Sequence, residues 1–223
     1  MQVKPKSSTQ KVVYFVRHGQ SEDNIGDVFQ RPDSPLSEVG KQQAQFIAKR
    51  IASIEYDALI ASPLRRTTET AEAIAALSSK PIEYSELFVE RIKPSSINGK
   101  LHSDNRANDV WRAWEKSLIT PGKERIEDGE NYEDITKRAA EALDYLYNHE
   151  AKTLVVVTHG YILRTMVASV LFGKEIQPDI YKNFQRVVSM ENTGVTALVY
   201  EAAFEQEACW RLWTYNDHAH LAV

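Results

Sequence analysis

Val12-Val13-Tyr14-Phe15-Val16-Arg17-His18-Gly19 joins a continuous β-branched and aromatic run to an Arg-His-Gly step. A run of this kind reads as a strand buried on both faces. Leu154-Val155-Val156-Val157-Thr158-His159-Gly160 repeats the arrangement, with a second His-Gly pair just past the strand. Ala58-Leu59-Ile60 is a third, shorter run and leads into Ser62-Pro63-Leu64-Arg65-Arg66-Thr67. Helical periods lie between the strands. Ala44, Ile47, Ile51 and Ile54 share one face behind Ser37 as a candidate N-cap, and Ile135, Ala139, Leu143 and Leu146 do so behind Asn131. Ser62-Pro63 reads as a cap followed by proline at the first helical position, with a helix running to about Leu77, and Tyr161 to Leu171 is a further apolar helix. Strands alternating with helices of this length predict a three-layer α/β/α domain with a largely parallel central sheet.

The C-terminal part differs. Val195–Glu201 and Trp210–Tyr215 alternate across a polar connection, which predicts a hairpin or edge pair. Residues 84–127 lack a strand–helix alternation and carry Pro94, Gly99, Pro121 and Gly122, with a short amphipathic piece around Trp111 and Trp114. They read as an insertion covering a site, inside one domain spanning residues 1–223. No internal repeat or low-complexity stretch is visible.

The bulk numbers narrow the function. The chain has 223 residues, 43% hydrophobic and 26% charged, with a net charge of −4. A mild acidic balance argues against general binding to nucleic acid or membranes, both of which need a basic field. The single cysteine, Cys209, rules out an intrachain disulfide and reads as a small buried hydrophobe on a strand. The N-terminus lacks a signal-like apolar block, and no apolar run is long enough to span a bilayer. The expectation is a soluble, cytoplasmic protein whose oligomeric state is open.

Ligands of parallel α/β sheets bind beyond the carboxyl ends of the strands, where helix N-termini favour anions. Two His-Gly pairs in that position, with Arg17 beside one and the arginines after Ser62 at a third strand end, define a cationic pocket. One histidine after a strand is ordinarily a hydrogen-bonded loop residue; the matched pair is the stronger signal. Arginine at a helix start is unfavourable against the dipole unless an anion sits between them. That combination suits a dianionic phosphate monoester. Glu83, Glu86 and Glu90 all lie in one polar segment, and nothing in that segment alone selects among them. No metal-ligand spacing is present, so neither metal nor other cofactor is implied.

Phe15-Val16-Arg17-His18-Gly19-Gln20-Ser21 with Asn24, then Ser62 to Thr67 with Thr70, then Phe88-Val89-Glu90-Arg91, and Val157 to Gly160 occur in order. Together they resemble the four blocks of the histidine phosphatase superfamily, in its phosphoglycerate-mutase-like branch. Asp128-Gly129-Glu130 with Asp134 and Arg138 resembles the helix start before the last block. The resemblance implies His18 as a nucleophile that becomes phosphorylated. It implies Arg17, Arg66, His159, Asn24 and the Gly160 backbone as holders of the phosphoryl group, and Glu90 as proton donor to the leaving oxygen. The family spacing selects Arg66 over Arg65. The partner implied is a phosphorylated small molecule.

Three activities compete: phosphatase, phosphoglycerate mutase and a silent binding protein. The silent one needs a lost residue, and none of the implied residues is missing. Mutases of this type carry Trp where Asp23 stands and a Tyr-Gly pair where Lys93-Pro94 stands, and are longer through the insertion, which favours a phosphatase. Lys93, Lys100, His102 and Arg106 suggest room for a second anionic group, although basic loop residues are ordinarily solvated. His218 and His220 could tempt a metal reading, since alternate residues on a strand share a face, but a solvated or packing role is expected. Trp111, Trp114, Trp210 and Trp213 are expected mostly in the core, with the first two also able to wall a pocket.

Overall fold

The computed structural model describes residues 11–173, 176–202 and 207–221. Among these, six strands form one sheet: β1 (Lys11–Arg17), β2 (Ala58–Ala61), β3 (Ile82–Tyr84), β4 (Thr153–Thr158), β5 (Val195–Glu201) and β6 (Cys209–Asp217). Their order is β3-β2-β4-β1-β5-β6. The first four in that order run parallel, while β5 pairs antiparallel with β1 and β6 antiparallel with β5. The helices are α1 (Glu22–Ile25), α2 (Glu38–Ile51), α3 (Arg65–Ser78), α4 (Asn105–Leu118), α5 (Tyr132–Asn148), α6 (Gly160–Phe172) and α7 (Pro178–Val187).

The period of two along the central strands sorts the core into two layers. Val13, Phe15, Ile60, Leu154 and Val156 pack with Ile135, Leu143 and Leu146 of α5 and Ile162 and Met166 of α6. Val16, Leu59, Val155 and Val157 face the other way, against Ile47 and Ile51 of α2 and Ala71 and Ile74 of α3. This is the three-layer α/β/α arrangement expected, with the C-terminal hairpin in place. Ser37 caps α2 through the Gly40 amide, and Asn131 with Asp134 forms a capping box on α5.

Several expectations need correction. β4 is buried almost throughout, but Val12 and Tyr14 of β1 are only half-buried. α2 stops at Ile51, so Ile54 packs from the following turn rather than from the helix. α3 begins at Arg65 with Leu64 at its cap, so Pro63 precedes the helix and Ser62 is free for another task. Cys209 is exposed, and Trp213 is 63% exposed. Both lie on β6, the outermost strand of the sheet among the described residues. The amphipathic piece around Trp111 is the full helix α4, packed on α5 through the fully buried Trp114 and Leu118. Two short 3-10 turns, Glu86–Phe88 and Ser95–Ile97, precede it. No described helix is long and apolar enough to cross a membrane.

Candidate active site

Strand register brings the site together. Arg17 of β1 lies opposite Thr158 of β4, and Ala61 of β2 opposite Val157 of β4. With β4 between β1 and β2, the next residues of all three strands, His18, His159 and Ser62, emerge side by side at the carboxyl edge. The two imidazole rings are 5.0 Å apart between centroids. Both histidines are buried, at 2% and 0% exposure. The His18 amide donates to the Thr158 carbonyl at 3.0 Å, and the Gly19 amide to Thr70 Oγ1 of α3 at 3.1 Å. Gly19 and Gly40 are required where the His18 loop meets the start of α2. A Cβ on Gly19 would stand 2.6 Å from the Gly40 carbonyl oxygen, and one on Gly40 only 1.9 Å from that of Gln20.

A hydrogen bond to a carbonyl assigns the His18 tautomer. A carbonyl only accepts, so the 2.7 Å contact between His18 Nδ1 and the Gly19 oxygen places the proton on Nδ1. His18 Nε2 therefore presents a lone pair, which accepts the Arg66 Nε–H at 3.3 Å. Burial, then Arg66 and Arg17, push the His18 pKa well below its ordinary value, so the ring is neutral and nucleophilic. Ser62 Oγ accepts from the Leu64 amide at 3.4 Å and contacts His159 Nε2 at 2.9 Å. Taken with the Ser62 hydroxyl as the donor to Nε2, neutral His159 carries its own proton on Nδ1. That Nδ1 is buried and without a partner among the described residues. Burial, then Arg66, hold His159 neutral too. The site therefore pairs an imidazole acceptor with an imidazole donor, both uncharged.

Around them stand the cations. Arg66 is buried, its pKa drawn down to about 10 chiefly by burial. Arg65, next to it, is exposed and pairs with Glu69 at 2.8 Å. The Arg17 guanidinium donates to the Met190 carbonyl, while its Nε is buried and without a partner among the described residues. Gly160 packs against it: a Cβ there would lie 3.5 Å from Arg17 Nε.

Glu90 completes the group. Its Oε1 accepts from the Arg91 amide at 2.9 Å and from the Tyr161 and Ile162 amides at 3.1 and 3.3 Å, at the start of α6. Burial raises its pKa, but the Arg91 charge and amide, with Arg66 and Arg164, outweigh this and hold it below the usual value. The carboxylate sits on a helix N-terminus, which favours its charge. Glu83 instead faces His149 at 3.2 Å, and Glu86 reaches only the wall of the cleft.

Sequence reasoning attached no role to Glu130 and Arg138, and the structure supplies one. They form a nearly buried pair at 2.7 Å. Arg138 donates to the Val89 and Glu90 carbonyls at 2.7 and 3.3 Å, and Glu130 accepts from the Ile92 amide at 2.8 Å. The strip carrying Glu90 is thereby pinned to α5.

Arg66 and Glu90 form the inner wall of a cleft of about 830 Å³. Trp111, Trp114, Phe29, Lys93, Asn24 and His102 are among its other walls. Asn24 is exposed, its side-chain oxygen capped onto the Ser21 amide at 3.1 Å, which leaves its amide hydrogens free to donate. Lys93 donates to the Gln30 carbonyl, and burial, then Arg66 and Arg91, lower its pKa to about 8. His102 pairs with Asp27 at 3.3 Å, while Lys100 and Arg106 are exposed and lie outside the cleft wall. Among the described residues no group of three or more His, Cys, Asp or Glu side chains gathers as a metal site.

The tautomer assignment carries a prediction. Ser62→Ala removes the proton directed at His159 Nε2 and frees the ring to place its own proton there instead. One hydrogen bond of this kind is worth about 1 kcal/mol, so kcat is expected to fall several-fold to tenfold with KM nearly unchanged. Ser62→Thr should recover most of the loss. Steady-state kinetics of the two variants is the check, and an unaltered kcat in Ser62→Ala removes Ser62 from this role.

A strand-edge histidine whose unprotonated nitrogen lies beside arginine forks and a second imidazole defines a phosphoryl-transfer enzyme built on a three-layer α/β fold. The chain belongs to the histidine phosphatase superfamily (branch 1), whose family profile matches residues 13–214. Members of that superfamily are metal-independent phosphatases or phosphomutases. A probable phosphoglycerate mutase, GpmB, of Proteus mirabilis is 31% identical over 215 residues, 94% of each chain. Another of that name, from Photorhabdus laumondii, is 29% identical over 217 residues, again 94% of each. Among solved structures, a phosphoserine phosphatase from Entamoeba histolytica bound to phosphoserine is 26% identical, with a TM-score of 0.73 over 95% of this chain and 99% of that one. A mycobacterial glucosyl-3-phosphoglycerate phosphatase is 23% identical, with a TM-score of 0.71 over 93% of this chain and 99% of that one, and shares the fold.

Proposed function

We propose that the protein hydrolyses small phosphate monoesters in the cytoplasm through a covalent phosphohistidine on His18, without metal or other cofactor. The observation that carries this is the His18 tautomer, which leaves a buried, neutral Nε2 lone pair beside Arg66. The substrate phosphate enters the cleft and draws the Arg66 guanidinium off Nε2 onto its own oxygens. Arg17, the His159 Nδ1–H, the Asn24 amide and the Gly160 backbone hold the remaining oxygens. Nε2 attacks phosphorus, the ester P–O bond breaks, and Glu90 gives its proton to the departing alkoxide. Glu90 then takes a proton from the water that attacks the phosphohistidine, releasing inorganic phosphate and free His18. Little covalent work falls to the protein, so positioning and charge carry the catalysis. In this reading residues 84–127 are an insertion within a single domain and supply the outer wall that receives the leaving alcohol.

A second reading, transfer of the phosphoryl group back to a phosphoglycerate, is favoured by the names of the curated relatives. Against it stand Lys93-Pro94 after the Glu-Arg step, and Asp23, which pairs with Arg31 at 2.9 Å where such mutases carry Trp. The test is a screen of phosphorylated metabolites for phosphate release, run beside 3-/2-phosphoglycerate interconversion with exhaustively chelated protein. Hydrolysis of several monoesters that survives chelation, with little interconversion, is the expected result. Interconversion far above hydrolysis makes the protein a mutase. Activity lost on chelation and restored by Mg²⁺ or Zn²⁺ overturns the metal-free mechanism.

A further inference from the structure

The C-terminal His220 is far from the cleft in sequence, yet a chain of directed hydrogen bonds runs from it to His18. Arg50 NH1 of α2 lies 3.2 Å from His220 Nδ1. A guanidinium only donates, so Nδ1 accepts and the proton of the neutral ring is on Nε2. Nε2 is 3.0 Å from Thr193 Oγ1, which therefore accepts and passes its own proton to the Asn192 carbonyl at 2.7 Å. Asn192 Nδ2 donates to the His18 carbonyl at 2.9 Å, and the Thr193 amide to the Arg17 carbonyl at 3.0 Å. In the same loop the Met190 carbonyl takes the Arg17 guanidinium.

The loop is held in a conformation it would not choose. Thr193 is fully buried with φ at +59°, a left-handed conformation that strains a β-branched residue. A Cβ on Gly194 would stand 2.2 Å from Asn216 Oδ1, so the following residue is tightly confined as well. Arg50 is itself oriented by an ion pair with Asp217 of β6. Burial, then Arg50, keep His220 below its ordinary pKa and hence uncharged, against the opposite pull of Asp217.

We propose that His220 is a positioning residue of the phosphoryl-transfer site, acting through Thr193 and Asn192 on Arg17 and His18. This rests on the phosphohistidine reading above. Removing the Nε2 donor lets Thr193 Oγ1 turn away and the 190–194 loop relax, and the nucleophile and the Arg17 fork lose their common support. Sub-ångström to ångström misplacement of reacting groups costs roughly tenfold to a hundredfold in rate.

The test compares His220→Ala with His220→Gln, whose side-chain amide reproduces the donor to Thr193. Single-turnover phosphorylation of His18 by p-nitrophenyl phosphate and the kcat–KM split are read on protein shown folded by circular dichroism. His220→Ala is expected to slow phosphorylation about tenfold with KM within about twofold, and His220→Gln to restore most of the rate. A wild-type rate in His220→Ala, or equal damage in both variants, overturns the proposal. Should His220→Ala not fold, Asn192→Asp keeps the size and loses the donor to His18. It is then expected to slow phosphorylation at least tenfold, and an unchanged rate overturns the proposal. Absence of any phosphoenzyme in the wild type overturns the phosphohistidine reading itself. A wild-type phosphoenzyme indifferent to these variants overturns only the role of His220.

Discussion

His18→Ala is expected to abolish both turnover and an acid-labile, base-stable phosphoenzyme, with residual activity lower by about 10⁴-fold or more, as for removal of a covalent nucleophile. No neighbour can take its place. The nearest nitrogen nucleophile, His159, has its Nε2 engaged by Ser62. Labelled substrate, rapid quench and comparison with wild type give the measurement; equal labelling of the two proteins removes His18 from the role. The same variant should also change how stability depends on pH. His18 is held neutral with a pKa well below that of the unfolded chain. The unfolded state therefore binds the extra proton, and folding stability is lost as pH falls below about 6.5. The loss runs at up to about 1.4 kcal/mol per pH unit for each such histidine until the folded pKa is reached. His159 adds a second contribution of the same sign. Below pH 6.5, denaturant midpoints of His18→Ala should thus fall less steeply with pH than those of the wild type, and parallel slopes would mean that His18 is not held neutral.

The parts legible in the sequence were those fixed by local pattern. Leu154–Val157 reads as a strand buried on both faces, and three apolar runs with helical periods between them predict three layers. The His-Gly pairs were legible because parallel strands deliver their next residues to one edge. Choosing Arg66 over Arg65, and Glu90 among three glutamates, needed the family's spacing. The structure gives the physical ground for both choices: burial against His18 in one case and the α6 amides in the other. β3 was missed because three half-exposed residues leave no room for an alternation to show. The extent of α4 was missed because its deepest side chains, Trp114 and Leu118, make a sparse pattern among polar neighbours. Cys209 and Trp213 were misplaced because apolar character alone does not say whether a strand is central or at the edge. Least legible were Ser62, Asn192, Thr193 and His220. Their roles depend on hydrogen-bond partners far along the chain, Ser62 with His159 and Asn192 with His18, which no local periodicity encodes.

Glu90→Gln is expected to separate substrates by how badly their leaving oxygen needs a proton. The replacement is close to isosteric, and its amide oxygen can still accept the Arg91, Tyr161 and Ile162 amides that hold Oε1. The backbone around it should therefore stay in place, pinned independently by Arg138 and Glu130. What is lost is the proton. Against the upward pull of burial, Glu90 is held ionised by Arg91 and Arg66. A phosphate dianion placed among those arginines offsets their charge and raises the carboxyl pKa, so substrate binding itself prepares the acid. An alkoxide leaving group is strongly basic and gains about a hundredfold or more from that proton. A nitrophenolate departs unprotonated near neutral pH and gains little. Phosphorylation of His18 by alkyl phosphates should therefore slow about a hundredfold or more in Glu90→Gln, while phosphorylation by p-nitrophenyl phosphate changes by no more than a few-fold. Single-turnover rates are the proper measurement. In the proposed mechanism Glu90 is also the base in the later attack by water, and a slow second step would hide the contrast in steady state. His18→Ala, which should stop both substrates alike, is the control. If Glu90→Gln slows the two phosphorylation rates by one common factor, Glu90 only positions α6 and the substrate. The acid must then be sought at Glu86, the other of the three glutamates that reaches the cleft wall.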